Sequence, residues 1–130
     1  MNGDANIRID SVSPVPIYRQ IVEGLRALLV SDKLSPGTHL PTVRDLALDL
    51  GVHFNTVAEA YRLLADEGWL ELKRRRGAVV IRRTTPQPTR KTADAFGRRL
   101  REMIAQVRSE GLSVSQVTKE LQGVSEELNA

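Results

Sequence analysis

The chain contains no cysteine. Disulfides, thiolate metal sites and a cysteine nucleophile are excluded, and the composition fits a reducing, cytoplasmic compartment. Aromatic residues make up 4% of the 130 residues, so the core must be aliphatic. No apolar run approaches the ~20 residues of a membrane-spanning helix. Met1 to Asp10 hold no hydrophobic signal core, so neither export nor a membrane partner is expected. There is no glycine-rich phosphate loop and no nucleophile with a plausible base. His39 and His53 are the two histidines, and neither has a partner carboxylate cluster. No metal site and no cofactor are expected. The length suits one ordinary domain, or a small domain with an appendage. It leaves no room for a catalytic barrel or a dinucleotide-binding domain beside anything else, so an enzyme is not expected.

What is present is a globular composition, 41% hydrophobic and 27% charged, with a net charge of +3. The charge is unevenly placed. Lys73, Arg74, Arg75, Arg76, Arg82 and Arg83 form a short stretch without an acid. With those six set aside, thirteen basic residues of the nineteen face sixteen acidic ones. Focused positive charge on a neutral or acidic body is the footprint of a polyanion binder. A solvated basic loop is the plainer alternative.

The hydrophobic pattern divides the chain. Residues 1–15 read as a polar lead-in. Pro16 suits the first position of a helix, along which Ile17, Ile21, Leu25, Leu28 and Leu29 recur at helical spacing. Ser35-Pro36-Gly37 is turn chemistry, and Thr38-His39-Leu40 is a short extended piece. Thr42-Val43-Arg44-Asp45 has the form of a capping box and opens a second helix, which Gly51 stops. A third runs from near Phe54 to about Glu67, with Val57, Tyr61 and Leu64 inward and Asn55, Thr56, Glu59 and Arg62 outward. Trp69–Leu72 and Ala78–Ile81 read as two strands, with the basic run and Gly77 between them. Residues 16–83 therefore spell a winged helix-turn-helix with its charge on the wing. Residues 84–90 read as a linker. Residues 91–130 hold two amphipathic helices, the second opened by a capping box at Ser113 and Gln116. The fold class is mainly α with a small β-hairpin, and a third helix free to enter a major groove.

The segment from Pro16 to Arg83 resembles the DNA-binding domain of GntR-family bacterial transcriptional regulators. Pro16-Ile17-Tyr18-x-Gln20, Ser35-Pro36-Gly37, Leu40-Pro41, Arg44-Asp45-Leu46-Ala47, Gly51-Val52 and Asn55-Thr56-Val57 carry the likeness. With about forty residues after the linker, the whole resembles the short YtrA-type subgroup, in which a two-helix tail dimerises. The resemblance implies a homodimer on an inverted-repeat operator, acting as a repressor at the nucleoid. It implies DNA contacts from Arg44 and Thr56 and a close approach of the wing-tip Gly77. On their own chemistry His53, Phe54 and Asn55 at the start of the third helix, with Asn55 suited to adenine, and Arg74, Arg75 and Arg76 on the wing are further candidate DNA contacts. Each has a plainer reading. Arg44 could pair with Asp45 or Glu67, Asn55 and Thr56 could cap the helix, and Gly77 could be an ordinary hairpin glycine. Phe54 and Ala58 stand where many members carry basic residues. The family's usual half-site is therefore not carried over to this chain. Phe54 either packs on a thymine methyl or covers the core, and Arg62 could take over a phosphate contact.

In the tail, Phe96, Leu100, Met103, Ile104 and Val107 form one stripe. Val114, Val117, Leu121, Val124 and Leu128 form another at coiled-coil-like spacing. A two-helix hairpin cannot bury both, so the expected partner is a second copy. An unknown small-molecule effector is a further possible partner. Two other readings stay open: a non-specific architectural DNA binder, and a winged-helix adaptor that binds protein.

Overall fold

The computed structural model of the chain describes residues 7–74 and 77–130. It divides into two units, residues 1–84 and 85–130.

In the first unit, α1 (Ile17–Val30) begins one residue later than expected. Pro16 is its N-cap, with φ −55° and ψ 145°. The proline ring fixes φ but not ψ, so Pro16 fits the half-out position as well as the first helical one. The lead-in also departs from its polar reading. Ile7 and Ile9 pack against the core, and Asp10 exchanges backbone bonds with the Gln20 amide at 2.8 and 3.0 Å.

α2 (Val43–Leu50) is capped by the Thr42 hydroxyl, which accepts from Asp45 N at 3.1 Å. The reciprocal half of the expected capping box is not formed, because the aspartate side chain is a methylene shorter than the glutamate or glutamine that makes it. Gly51 closes α2 in the left-handed region, φ 68° and ψ 36°, and Val52 N reaches back to Ala47 O at 3.0 Å. That pattern reverses the chain within two residues. α3 (Phe54–Asp66) then packs across both α1 and α2.

The expected short strand and hairpin form one three-stranded sheet: β1 (His39–Leu40), β2 (Leu70–Lys73) and β3 (Gly77–Val80), antiparallel in the order β1-β3-β2. The extended piece before Pro41 lies along the free edge of β3 and pairs His39 with Val79 and Leu40 with Ala78. An unpaired edge leaves backbone groups unsatisfied, and a two-residue strand is enough to cover a short one. The core is aliphatic, from Ile21, Leu25, Leu29, Leu46, Val57, Leu64, Leu70 and Val80, with Tyr61 its single aromatic among the described residues.

Tyr61 ties these parts together. Its hydroxyl donates to Pro41 O at 2.9 Å, joining the middle of α3 to the start of α2. Burial pushes the hydroxyl well above the usual phenol range, so it stays a donor wherever the protein is folded. Tyr61→Phe is expected to cost about 1–2 kcal/mol, since it leaves a carbonyl without its partner. Urea unfolding at neutral pH measures this.

Gly77 has a structural duty of its own. Its φ is +76°, and a Cβ there would lie 2.5 Å from Pro41 O and 2.6 Å from Leu40 O. Gly77→Ala therefore adds an overlap with fixed backbone to the cost of a left-handed alanine, about 1–2 kcal/mol by itself. Gly37 has φ +93° and open space around it, so Gly37→Ala isolates the dihedral cost. Thermal unfolding should show Gly77→Ala lowering the midpoint at least twice as far as Gly37→Ala.

The second unit is α4 (Arg90–Ser109) and α5 (Val114–Leu128), joined through Gly111 at φ 105°. Thr89, expected in the linker, caps α4 in a reciprocal box with Thr92, so the helix starts at Arg90. The box at Ser113 and Gln116 forms as the sequence predicts. Val117 is buried within the chain, whereas Phe96, Met103, Val114 and Leu128 are each more than 60% exposed. Leu121 and Val124 are about half exposed, and Leu100, Ile104 and Val107 are partly covered. Among the described residues, no helix is long and apolar enough to cross a membrane.

Candidate nucleic-acid interface

The burial of Val57, Ala60, Tyr61 and Leu64 fixes which side of α3 faces the core. The opposite side carries Asn55, Glu59 and Arg62, all exposed. The N-cap is His53, whose Nδ1 accepts from Asn55 N at 3.1 Å. That bond answers the capping alternative for Asn55 and Thr56. Capping falls to His53, and neither the Asn55 nor the Thr56 side chain makes a hydrogen bond among the described residues. Phe54 is 48% exposed and lies outside the core, stacked on the His53 ring at 4.6 Å between centroids.

Arg44, the second residue of α2, is exposed and makes no ion pair among the described residues. The partners weighed for it are engaged elsewhere or remain apart. Glu67 pairs with Arg26, whose Nε lies 3.2 Å from Glu67 Oε1, and accepts from Trp69 Nε1 at 3.2 Å. Arg44 thus keeps its whole guanidinium fork available at a helix N-terminus, where the backbone dipole also favours an anion.

The basic stretch does not act as one patch. Arg83 is drawn inward. Its Nε donates to Glu67 O at 2.8 Å and its guanidinium lies 4.4 Å from the Trp69 ring centroid. It braces the base of the wing through a hydrogen bond and a cation–π contact. Lys73 pairs with Glu71 at 3.0 Å, an exposed pair worth little and readily exchanged for a phosphate. Arg74 is exposed and unpaired among the described residues. Arg75 and Arg76 lie outside the described residues.

One grouping escaped the sequence reading. Val43 and Arg44 of α2, Ala58 and Arg62 of α3, and Leu72 and Lys73 of β2 line a cleft of about 450 Å³ between the helices and the wing. Three cations from three elements meet there. The four-residue step from Ala58 to Arg62 signalled one wall. The arrival of Lys73 depends on the strand pairing and has no local signal. Gly77 lines the same cleft, but its missing side chain is already explained by the Pro41 backbone. A close approach to DNA is not needed to account for it.

The family model described as "Bacterial regulatory proteins, gntR family" matches residues 17–80. The chain is 40% identical over 74 residues to the HTH-type transcriptional repressor YtrA of Bacillus subtilis, covering 57% of each chain. It is 42% identical over 80 residues to the HTH-type transcriptional regulator Rv1152 of Mycobacterium tuberculosis, covering 58% of this chain and 63% of that one. The likeness to both thus spans less than two thirds of their length. The solved structure of YtrA from Sulfolobus acidocaldarius, a GntR-family transcription factor, is 31% identical. It superposes with a TM-score of 0.54 over 95% of this chain and all of that one. The matched stretch holds the three helices, the Gly51 turn and the wing strands described above, and the chain belongs to the GntR family of regulatory proteins.

Proposed function

We propose that the chain is a sequence-specific transcriptional repressor that binds an inverted-repeat operator as a homodimer, at the nucleoid in the cytoplasm. One observation carries the reading. Arg44, Asn55, Thr56 and Arg74 are polar side chains at the start of α2, the start of α3 and the wing, and none has an intramolecular partner among the described residues. Such groups gain most from a partner rich in phosphate oxygens and base edges. Arg44 and the wing fix the register on the backbone, and the first turn of α3 meets base pairs in the major groove. The exposed stripes of α4 and α5 support pairing with a second copy, which sets two recognition helices about 34 Å apart on a palindrome.

The test is fluorescence anisotropy at near-physiological salt. One duplex comes from upstream of the chain's own gene and one is scrambled. A preference of a hundredfold or more for the first is expected. Equal affinity for the two, persisting after selection from random sequences, would favour an architectural protein. No binding to any duplex would favour the protein-binding adaptor.

A further inference from the structure

The first turn of α3 presents an unusually narrow chemistry. His53 spends its Nδ1 on the cap. Phe54 stays outside the core, and its ring lies against the His53 imidazole with 25° between the planes. That stack restrains an otherwise free side chain, so less rotamer entropy is lost when the ring is covered. The Asn55 amide is unspent. Ala58 offers no polar group, and the exposed Glu59 only accepts. Arg62, in the third turn, is the first cation along the helix.

Base pairs are told apart in the major groove by donors, acceptors and the thymine methyl. Guanine shows two acceptors and is met best by a cationic fork, which the first two turns of α3 do not carry. An asparagine amide matches adenine N6 and N7, and an apolar ring suits the thymine methyl. We infer that Phe54 and Asn55 read neighbouring A·T pairs in each half-site. Phe54 covers a thymine methyl, Asn55 holds an adenine by N6 and N7, and the start of α3 makes no guanine contact. His53 is a positioning residue that holds the Phe54 ring in place. This assignment rests on the DNA-binding reading above.

The experiment separates the two. Selection from a pool of random duplexes comes first, and a pool that never enriches overturns the DNA-binding reading itself. In an enriched operator, each thymine is replaced in turn by deoxyuridine, which removes one methyl group. Each adenine is replaced by 7-deazaadenine, which removes N7. One thymine per half-site should respond by about fourfold, the value of one buried methyl, and Phe54→Ala should abolish that response. One neighbouring adenine should respond by roughly tenfold, and Asn55→Ala should abolish it. His53→Ser keeps a good cap but removes the stack, and should shrink the uracil response while leaving the 7-deaza response intact. An enriched operator that responds to neither analogue, or variants as sensitive as the wild type, would overturn the assignment. An unchanged uracil response in His53→Ser would overturn the positioning role.

Discussion

Replacing Leu100 and Ile104 together by glutamate should turn the proposed dimer into a monomer and lower affinity for a full operator by roughly a hundred- to ten-thousandfold. The stripes of α4 and α5 leave Phe96, Met103, Val114 and Leu128 largely in water within one chain. Each such side chain is worth about 1.5–3 kcal/mol when fully buried, which is the driving force the proposed dimer would use. Leu100 and Ile104 lie in the same stripe, and a carboxylate there would be desolvated without a partner. The loss on DNA follows from linkage. The second half-site of a dimer is bound at high effective concentration, and a monomer forfeits that gain without losing a contact. Sedimentation and anisotropy read the two effects separately. A monomeric variant that binds one isolated half-site as well as the wild type does completes the argument. A double variant that stays dimeric would place the interface elsewhere.

The second large effect is on salt dependence. If a dimer neutralises about eight phosphates, log affinity should fall against log salt with a slope near −7. Changing Arg74, Arg75 and Arg76 to alanine removes up to six cations from the dimer. The slope should flatten by up to about 5, at roughly 0.9 per lost phosphate contact, with operator and scrambled duplex weakened alike. Arg83→Ala should leave the slope almost untouched and lower thermal stability instead, because that guanidinium is committed to Glu67 and Trp69. An unchanged slope in the triple variant would mean that the wing does not touch the backbone.

The helices were legible because their signals are local. The Gly51 turn, the Ser113 cap and the apolar spacing of Val57, Tyr61 and Leu64 each lie within one turn of what they determine. The misses came from distance along the chain. Nothing near His39 and Leu40 says that they will line β3, some forty residues later. Nothing near Arg83 says that it will turn towards Glu67 and Trp69 and leave the patch its neighbours suggest. Glu67 was weighed for Arg44 on chemistry, but α1 brings Arg26 to it first. His53 as a cap is a different miss. Imidazole is a less common choice there than serine or asparagine, so Asn55 and Thr56 drew the attention that the ring before them warranted.

The Pro41 carbonyl is where α3 and the wing meet. Tyr61 grips it from α3, and Gly77 of the wing lies so close that a Cβ there would be 2.5 Å from it. The recognition helix and the wing strands are therefore clamped on one pivot and behave like the jaws of a fixed caliper. On the DNA-binding reading proposed above, a protomer would measure a set span along the duplex between the pairs met by α3 and the phosphates met by the wing. An operator lengthened by one base pair inside a half-site would meet one jaw or the other, never both. In the proposed dimer, any tolerance for variable spacing would come from between the two protomers.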